Sequence, residues 1–290
     1  MKTDRDKFAE DLVTRTEVWP SSVETPEDII KKDIIYSSPE GHDLELTYFT
    51  QENPEEKRPA ILFIHGGSWK MGDRKQFFRQ SIHLTKRFNF FAACIEYRLS
   101  DAAPFPSALE DCKTAMRWLC SVSDEHSIDT ERIAVCGGSA GAHLAALTAL
   151  SNGTDKYDTG PYLGYPGTVK LAVLFNGHFD LSEQLREHIQ DEDMRLFFSG
   201  SPWEKPDLYG EASPILLVNE KSPPMLFLHG ELDHYPYKQS IYMADRLQYF
   251  GVDAEVEIYK GKGHAWFNSG PDLQLTTERM AKFLKKHFLL

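Results

Sequence analysis

A serine set among glycines, Gly137-Gly138-Ser139-Ala140-Gly141, fits the pattern G-x-S-x-G. An apolar run over 133–136 leads in and an Ala/Leu-rich segment, Ala140–Leu150, leads out, so the spacing predicts a strand, a tight turn and a helix. Glycine is required where a turn is so tight that a Cβ would collide. Such a turn presents the Ser139 hydroxyl as a nucleophile. It also leaves the amide of Ala140, at a helix N-terminus, facing any negative charge that develops nearby. A second set of donors comes from His65-Gly66-Gly67-Ser68-Trp69, directly after the apolar run 60–64. Glycines there let backbone amides turn inward toward a substrate oxygen. His65 itself reads as a structural residue that pins this loop.

A serine hydroxyl attacks only with the help of a base. Of eleven histidines, His264 is best placed, in Gly261-Lys262-Gly263-His264 just past an expected strand. His143 lies one helical turn after Ser139 and points into packing; His178, His229 and His234 are weaker rivals near strand ends. The acid that orients the base is expected at Asp233, in His229-Gly230-Glu231-Leu232-Asp233. It precedes His264 by about one β-loop–helix–strand unit, which brings both loops to the same sheet edge. Glu231 and Asp180 are the alternatives. A Ser139, Asp233, His264 set implies acyl transfer through a covalent acyl-enzyme, with no metal and no organic cofactor.

The elements that must position these residues alternate. Strands are expected over 33–36 and 44–49, joined by a hairpin at Pro39-Glu40-Gly41, and then over 60–65, 90–97, 132–136, Leu171–Phe175, 225–229 and Ala254–Tyr259. Helices are expected over 74–87, 106–122, Ala140–Leu150, 238–250 and along the C-terminus, where Leu273, Met280, Phe283, Leu284 and Phe288 share a face. Repeated βα units imply an α/β fold, a mostly parallel sheet with helices on both faces, whose ligands bind at the carboxyl ends of the strands. The rhythm breaks over 181–220, with Gly200, Pro202, Pro206, Gly210, Pro214 and a helix candidate at 181–189. That stretch reads as a cap or lid inserted over the sheet edge, because about 40 residues make a poor core of their own. The 290 residues otherwise read as one domain.

Composition narrows the partners. The net charge is -12, which repels phosphate backbones and argues against nucleic acid. No apolar run reaches the roughly 18 residues of a membrane span, and no leader is visible, so the chain reads as cytoplasmic or as one that has lost its leader. Cys94, Cys112, Cys120 and Cys136 match no metal spacing and read as buried free thiols. Cys112 and Cys120 would sit about 12 Å apart on one helix, too far to bridge.

The sequence resembles the esterase branch of the α/β-hydrolase fold. It is similar to the hormone-sensitive-lipase-like esterases and, more closely, to the bifunctional acetyl and feruloyl esterase-like group. The resemblance rests on His65-Gly66-Gly67-Ser68-Trp69, Glu96-Tyr97-Arg98-Leu99-Ser100, Phe105-Pro106-Ser107-Ala108-Leu109-Glu110-Asp111, Gly137-Gly138-Ser139-Ala140-Gly141, Glu211-Ala212-Ser213-Pro214 and Gly263-His264. The order nucleophile, acid, base is the order of that fold. The resemblance implies oxyanion amides from Gly66, Gly67 and Ala140, and short acyl esters, acetyl above all, on plant polysaccharide or oligosaccharide. Ser68 and Trp69 depart from the usual third glycine. His-Gly-Gly-x-Trp is also similar to the kynurenine formamidases, which cleave an N-formyl amide with the same triad. Trp69, Trp266 and Phe267 flank the loops and would bind a sugar or a phenolic acyl group, with Trp203 and Tyr235 as weaker candidates. Arg98 and Asp111 are expected to form an ion pair between a strand end and the next helix.

Overall fold

The computed structural model describes residues 15–52, 56–183 and 191–290. Its eight strands form one sheet in the order β1-β2-β4-β3-β5-β6-β7-β8. They are β1 (Ile30–Ser37), β2 (Leu44–Thr50), β3 (Arg58–Ile64), β4 (Phe91–Ile95), β5 (Ile128–Gly138), β6 (Leu171–Phe175), β7 (Met225–Gly230) and β8 (Ala254–Tyr259). β1 and β2 pair antiparallel as a hairpin, and β2 pairs antiparallel with β4. All other pairs are parallel. This is the α/β-hydrolase fold that the resemblance implied.

The near-continuous apolar runs of β3, β4, β6 and β7 follow from cover on both faces. Alternate side chains serve opposite cores. Leu62 and Ile64 of β3 join one with Val135, Leu174 and Phe227, while Ile61 and Phe63 join the other with Cys136, Val173 and Leu228. The second face is covered by α1 (Phe78–Phe88) and the C-terminal α8 (Gly270–Phe288), through Phe78, Leu84, Met280, Phe283 and Leu284. The first is covered by α2 (Ser107–Ser121), α3 (Ala140–Leu150) and α7 (Lys238–Tyr249). Every residue of α3 is buried, which accounts for its small-residue composition and lack of a polar face.

Among the described residues of 181–220 the chain forms three short helices, α4 (Glu192–Phe198), α5 (Pro206–Glu211) and α6 (Pro214–Leu217). Met194, Phe197, Phe198, Tyr209 and Ala212 enter the same apolar cluster as α2 and α3. Most of the helix expected over 181–189 lies outside the described residues. All four cysteines are free and buried. Among the described residues no helix is long and apolar enough to cross a membrane. The Arg98 guanidinium clamps Asp111, with Nη2 2.9 Å from Oδ1 and the Arg98 amide 2.9 Å from Oδ2, so the end of β4 is tied to α2 as expected.

Candidate active site

Ser139 joins β5 to α3 with φ 56° and ψ -121°. A non-glycine residue there is strained, and such strain persists only where the surroundings over-determine it. Its amide donates to the Phe175 carbonyl at 2.8 Å. Next to it the chain has no room for side chains. A Cβ on Gly141 would lie 2.1 Å from the Ile64 oxygen, and one on Gly66 would lie 2.6 Å from the Gly138 oxygen. The elbow and the loop after β3 are therefore in backbone contact.

That loop is itself strained. Gly67, Ser68 and Trp69 follow one another at φ 123°, 51° and 59°. Many contacts hold it. His65 Nδ1 lies 2.8 Å from the Gly66 oxygen and Nε2 lies 3.2 Å from Glu96, while Tyr97 Oη donates to the His65 carbonyl at 3.0 Å. Burial raises the Glu96 carboxyl, but His65 and Arg74 outweigh burial and hold it down at about 2. The Trp69 carbonyl accepts from the Ser100 amide and hydroxyl, at 2.9 and 3.1 Å. His65 thus pins the loop, as its sequence position suggested.

The Gly66 amide corrects an expectation. It donates to Gln76 Oε1 at 2.7 Å, so it is committed to holding the loop and is not a free donor. The amides of Gly67 and Ala140 have no hydrogen-bond acceptor among the described residues. Nothing in the sequence marked Gln76, because its contact is set by how the loop folds back over the next turn.

His264 follows β8. Its Nε2 lies 2.9 Å from Ser139 Oγ, and its Nδ1 lies 2.8 and 3.0 Å from the two oxygens of Asp233. The Asp233 side chain is completely enclosed. Oδ1 accepts from the Tyr235 amide at 2.8 Å, and Oδ2 accepts from Asn176 Nδ2. Burial works to raise its pKa, but the charge and hydrogen bond of His264 prevail and hold the carboxyl below its usual range. Glu231 has another task. Its Oε2 accepts from the Gly261 amide at 2.9 Å and fastens the loop that carries the base. His229 is buried between Ser240 Oγ and the Tyr235 carbonyl, at 2.8 and 3.0 Å. His143 is buried too: Nδ1 accepts from Trp69 Nε1 at 3.2 Å and Nε2 donates to the Ala212 carbonyl at 2.7 Å.

Asn176 is the residue that sequence reasoning missed. It follows β6 at the carboxyl edge of the sheet, the place where sites form in such folds, and that position was the one signal available.

The aromatic residues also require correction. Trp69, Trp266 and Phe267 are 2%, 4% and 1% exposed and present no open face to a sugar or phenolic group. Trp69 stacks on Phe197 of α4, centroids 4.7 Å apart and planes at 16°. Phe267 stacks on Phe175 at 4.3 Å, directly beneath the elbow. Large rings here fill the space under strained turns.

Comparison with known proteins agrees with the geometry. The sequence profile of the BD-FAE family matches residues 46–247. Esterase LipQ of Mycobacterium tuberculosis is 30% identical over 185 residues, 62% of this chain and 43% of that protein. The isoprenylcysteine alpha-carbonyl methylesterase ICME of Arabidopsis thaliana is 24% identical over 244 residues, 81% of this chain and 56% of that protein. The chain spans about half the length of the curated relatives it matches. Among solved structures, esterase Est2 of Thermogutta terrifontis with butyrate bound is 26% identical with a TM-score of 0.77, covering 90% of this chain and 95% of that one.

Proposed function

The chain belongs to the BD-FAE family of α/β-hydrolase esterases, and we propose that it is a serine carboxylesterase acting on short-chain acyl esters. One observation carries the reading: the unbroken run from Asp233 through His264 to Ser139, with contacts of 2.8 and 2.9 Å, ending on a strained turn. In this mechanism His264 Nε2 takes the proton of Ser139 as Oγ attacks the ester carbonyl. The amides of Gly67 and Ala140 hold the tetrahedral oxyanion. The alcohol leaves with a proton from His264, and water activated by the same nitrogen releases the acid. Asp233 keeps Nδ1 protonated, so that Nε2 is the lone-pair nitrogen, and stabilises the imidazolium.

Acetyl and similarly short acyl groups are the proposed substrates. Est2 of T. terrifontis has been solved with butyrate and with propionate bound, which supports a pocket for short acids. The narrower reading, an acetyl ester on polysaccharide or oligosaccharide, rests on family resemblance, and the buried Trp69, Trp266 and Phe267 do not add to it. The same triad would cleave an N-formyl amide, as His-Gly-Gly-Ser-Trp suggested. The test is a side-by-side initial rate on p-nitrophenyl acetate and N-formylkynurenine, with Ser139→Ala as the blank. Turnover of the acetate alone is expected. Preferential turnover of the formamide would replace the esterase reading with the amidase one.

A further inference from the structure

The catalytic set proposed above gives His234 no task, yet this residue stands beside the acid and the base. His234 Nδ1 lies 3.5 Å from Asp233 Oδ1, and His264 Nδ1 lies 3.0 Å from the same oxygen. The two imidazole rings are 4.4 Å apart, tilted by 53°. One carboxylate oxygen and two imidazole nitrogens thus fall within 4.8 Å of one another. The His234 side chain is 44% exposed whereas that of Asp233 is 0% exposed. The cluster is closed at its carboxylate and open to solvent at His234.

We propose that Asp233, His234 and His264 form a site for a divalent transition-metal ion of the zinc type, and that the bound ion switches the enzyme off; the switch rests on His264 being the base. Two imidazoles and a carboxylate are a zinc donor set, with water completing the tetrahedron. At metal–ligand distances near 2.0–2.1 Å, donor atoms stand about 3.3 Å apart along a tetrahedral edge. Two edges of the triangle, 3.0 and 3.5 Å, already bracket that length. Asn176 holds the other Asp233 oxygen, and Oδ1, which also accepts from the Tyr235 amide, is the one that lies within 3.5 Å of both rings. A hard cation such as Mg²⁺ prefers oxygen ligands and does not suit this set.

The inhibitory step follows from the tautomer. The ion accepts the Nδ1 lone pair of His264, and the single proton of the neutral ring moves from Nδ1 to Nε2. Nε2 now faces Ser139 Oγ as a donor and cannot take the serine proton. No bond to Ser139 forms or breaks, and removal of the ion restores the original tautomer.

The test titrates metal-free enzyme with Zn²⁺ in a non-chelating buffer and reads initial rates, with EDTA added back. In parallel, Co²⁺ binding is read from the intense visible absorption of a tetrahedral site. His234→Ala and His234→Gln are compared with wild type; both leave Ser139, Asp233 and His264 in place and keep metal-free activity. The expected result is one ion per chain, inhibition reversed by EDTA, and a midpoint raised more than about a hundredfold by either substitution. That exceeds the roughly tenfold to hundredfold cost of losing only an outer partner of a ligand. Equal inhibition of wild type and variants, equal inhibition by Mg²⁺, or no tetrahedral Co²⁺ spectrum would overturn the site. Stoichiometric binding through His234 with an unchanged rate would keep the site, refute the switch, and remove His264 as the base.

Discussion

His143 is predicted to make the fold acid-sensitive, and His143→Gln to relieve that sensitivity. The imidazole is fully enclosed, and burial pushes its pKa down to about 3. In the unfolded chain a histidine titrates near 6.5. Below that pH the unfolded state binds a proton that the folded state refuses. The stability attached to this residue is therefore complete above about pH 6.5 and is lost as pH falls toward 3. From pH 7 to pH 5 the difference amounts to about 1.4 pH units, or about 2 kcal/mol at 1.36 kcal/mol per unit. Glutamine retains a carbonyl to accept from Trp69 Nε1 and an amide to donate to the Ala212 carbonyl, and it has no proton to gain. Urea denaturation of both proteins at pH 7 and pH 5 gives four stabilities. Titrations common to both proteins cancel in the double difference. Wild type is expected to lose about 2 kcal/mol more than His143→Gln over this interval. Parallel losses would refute the argument that His143 is held neutral by burial.

Three further outcomes follow from the site. Ser139→Ala and His264→Ala are each expected to lower kcat by a factor on the order of 10⁴ or more, and near-wild-type turnover in either would sink the triad. Asp233→Asn is expected to cost several orders of magnitude and Glu231→Gln far less, since Glu231 only fastens the Gly261 amide; the reverse order in kcat would reassign the acid. Phe197→Ala removes the ring on which Trp69 stacks. It should cost about 3–5 kcal/mol in denaturation and lower kcat at least about tenfold with KM little changed, short of the hundredfold to thousandfold effect of losing an oxyanion donor. A raised KM with unchanged kcat would place Phe197 in substrate binding instead.

The elements were legible because apolar periodicity reports burial, and here burial is extreme. Ala140–Leu150, Leu171–Phe175 and Ala254–Tyr259 have in the structure the bounds read from the sequence. The triad candidates were legible because each occupies a loop after an apolar run. The supporting contacts were not. Gln76 reaches the Gly66 amide across ten residues, and Asn176 reaches Asp233 across 57. Only the folded path of the loops brings such pairs together. The aromatic residues misled for a related reason. Trp69, Trp266 and Phe267 lie beside catalytic residues in sequence, but a strained turn needs bulk beneath it, and the same side chains meet that need.

Sheet register explains why the loops converge. Ile64, the last residue of β3, pairs with Gly137, and Gly138 pairs with Phe175 at the end of β6. Phe175 in turn pairs with Leu228, and Gly230 pairs with Tyr259 at the end of β8. The oxyanion loop, the nucleophile, Asn176, the acid and the base thus leave five neighbouring parallel strands within about three residues of one level. At roughly 3.3 Å per residue, a one-residue slip would move a catalytic loop farther than a hydrogen bond is long. It would also exchange the two apolar faces of the slipped strand. Because β3, β6 and β7 are buried along their whole length, that exchange would unmake both cores there. The apolar residues that build the fold therefore also fix the 2.8 and 2.9 Å contacts of the triad. The strained backbone at Ser68, Trp69 and Ser139 is sustained by the packing of that sheet around it.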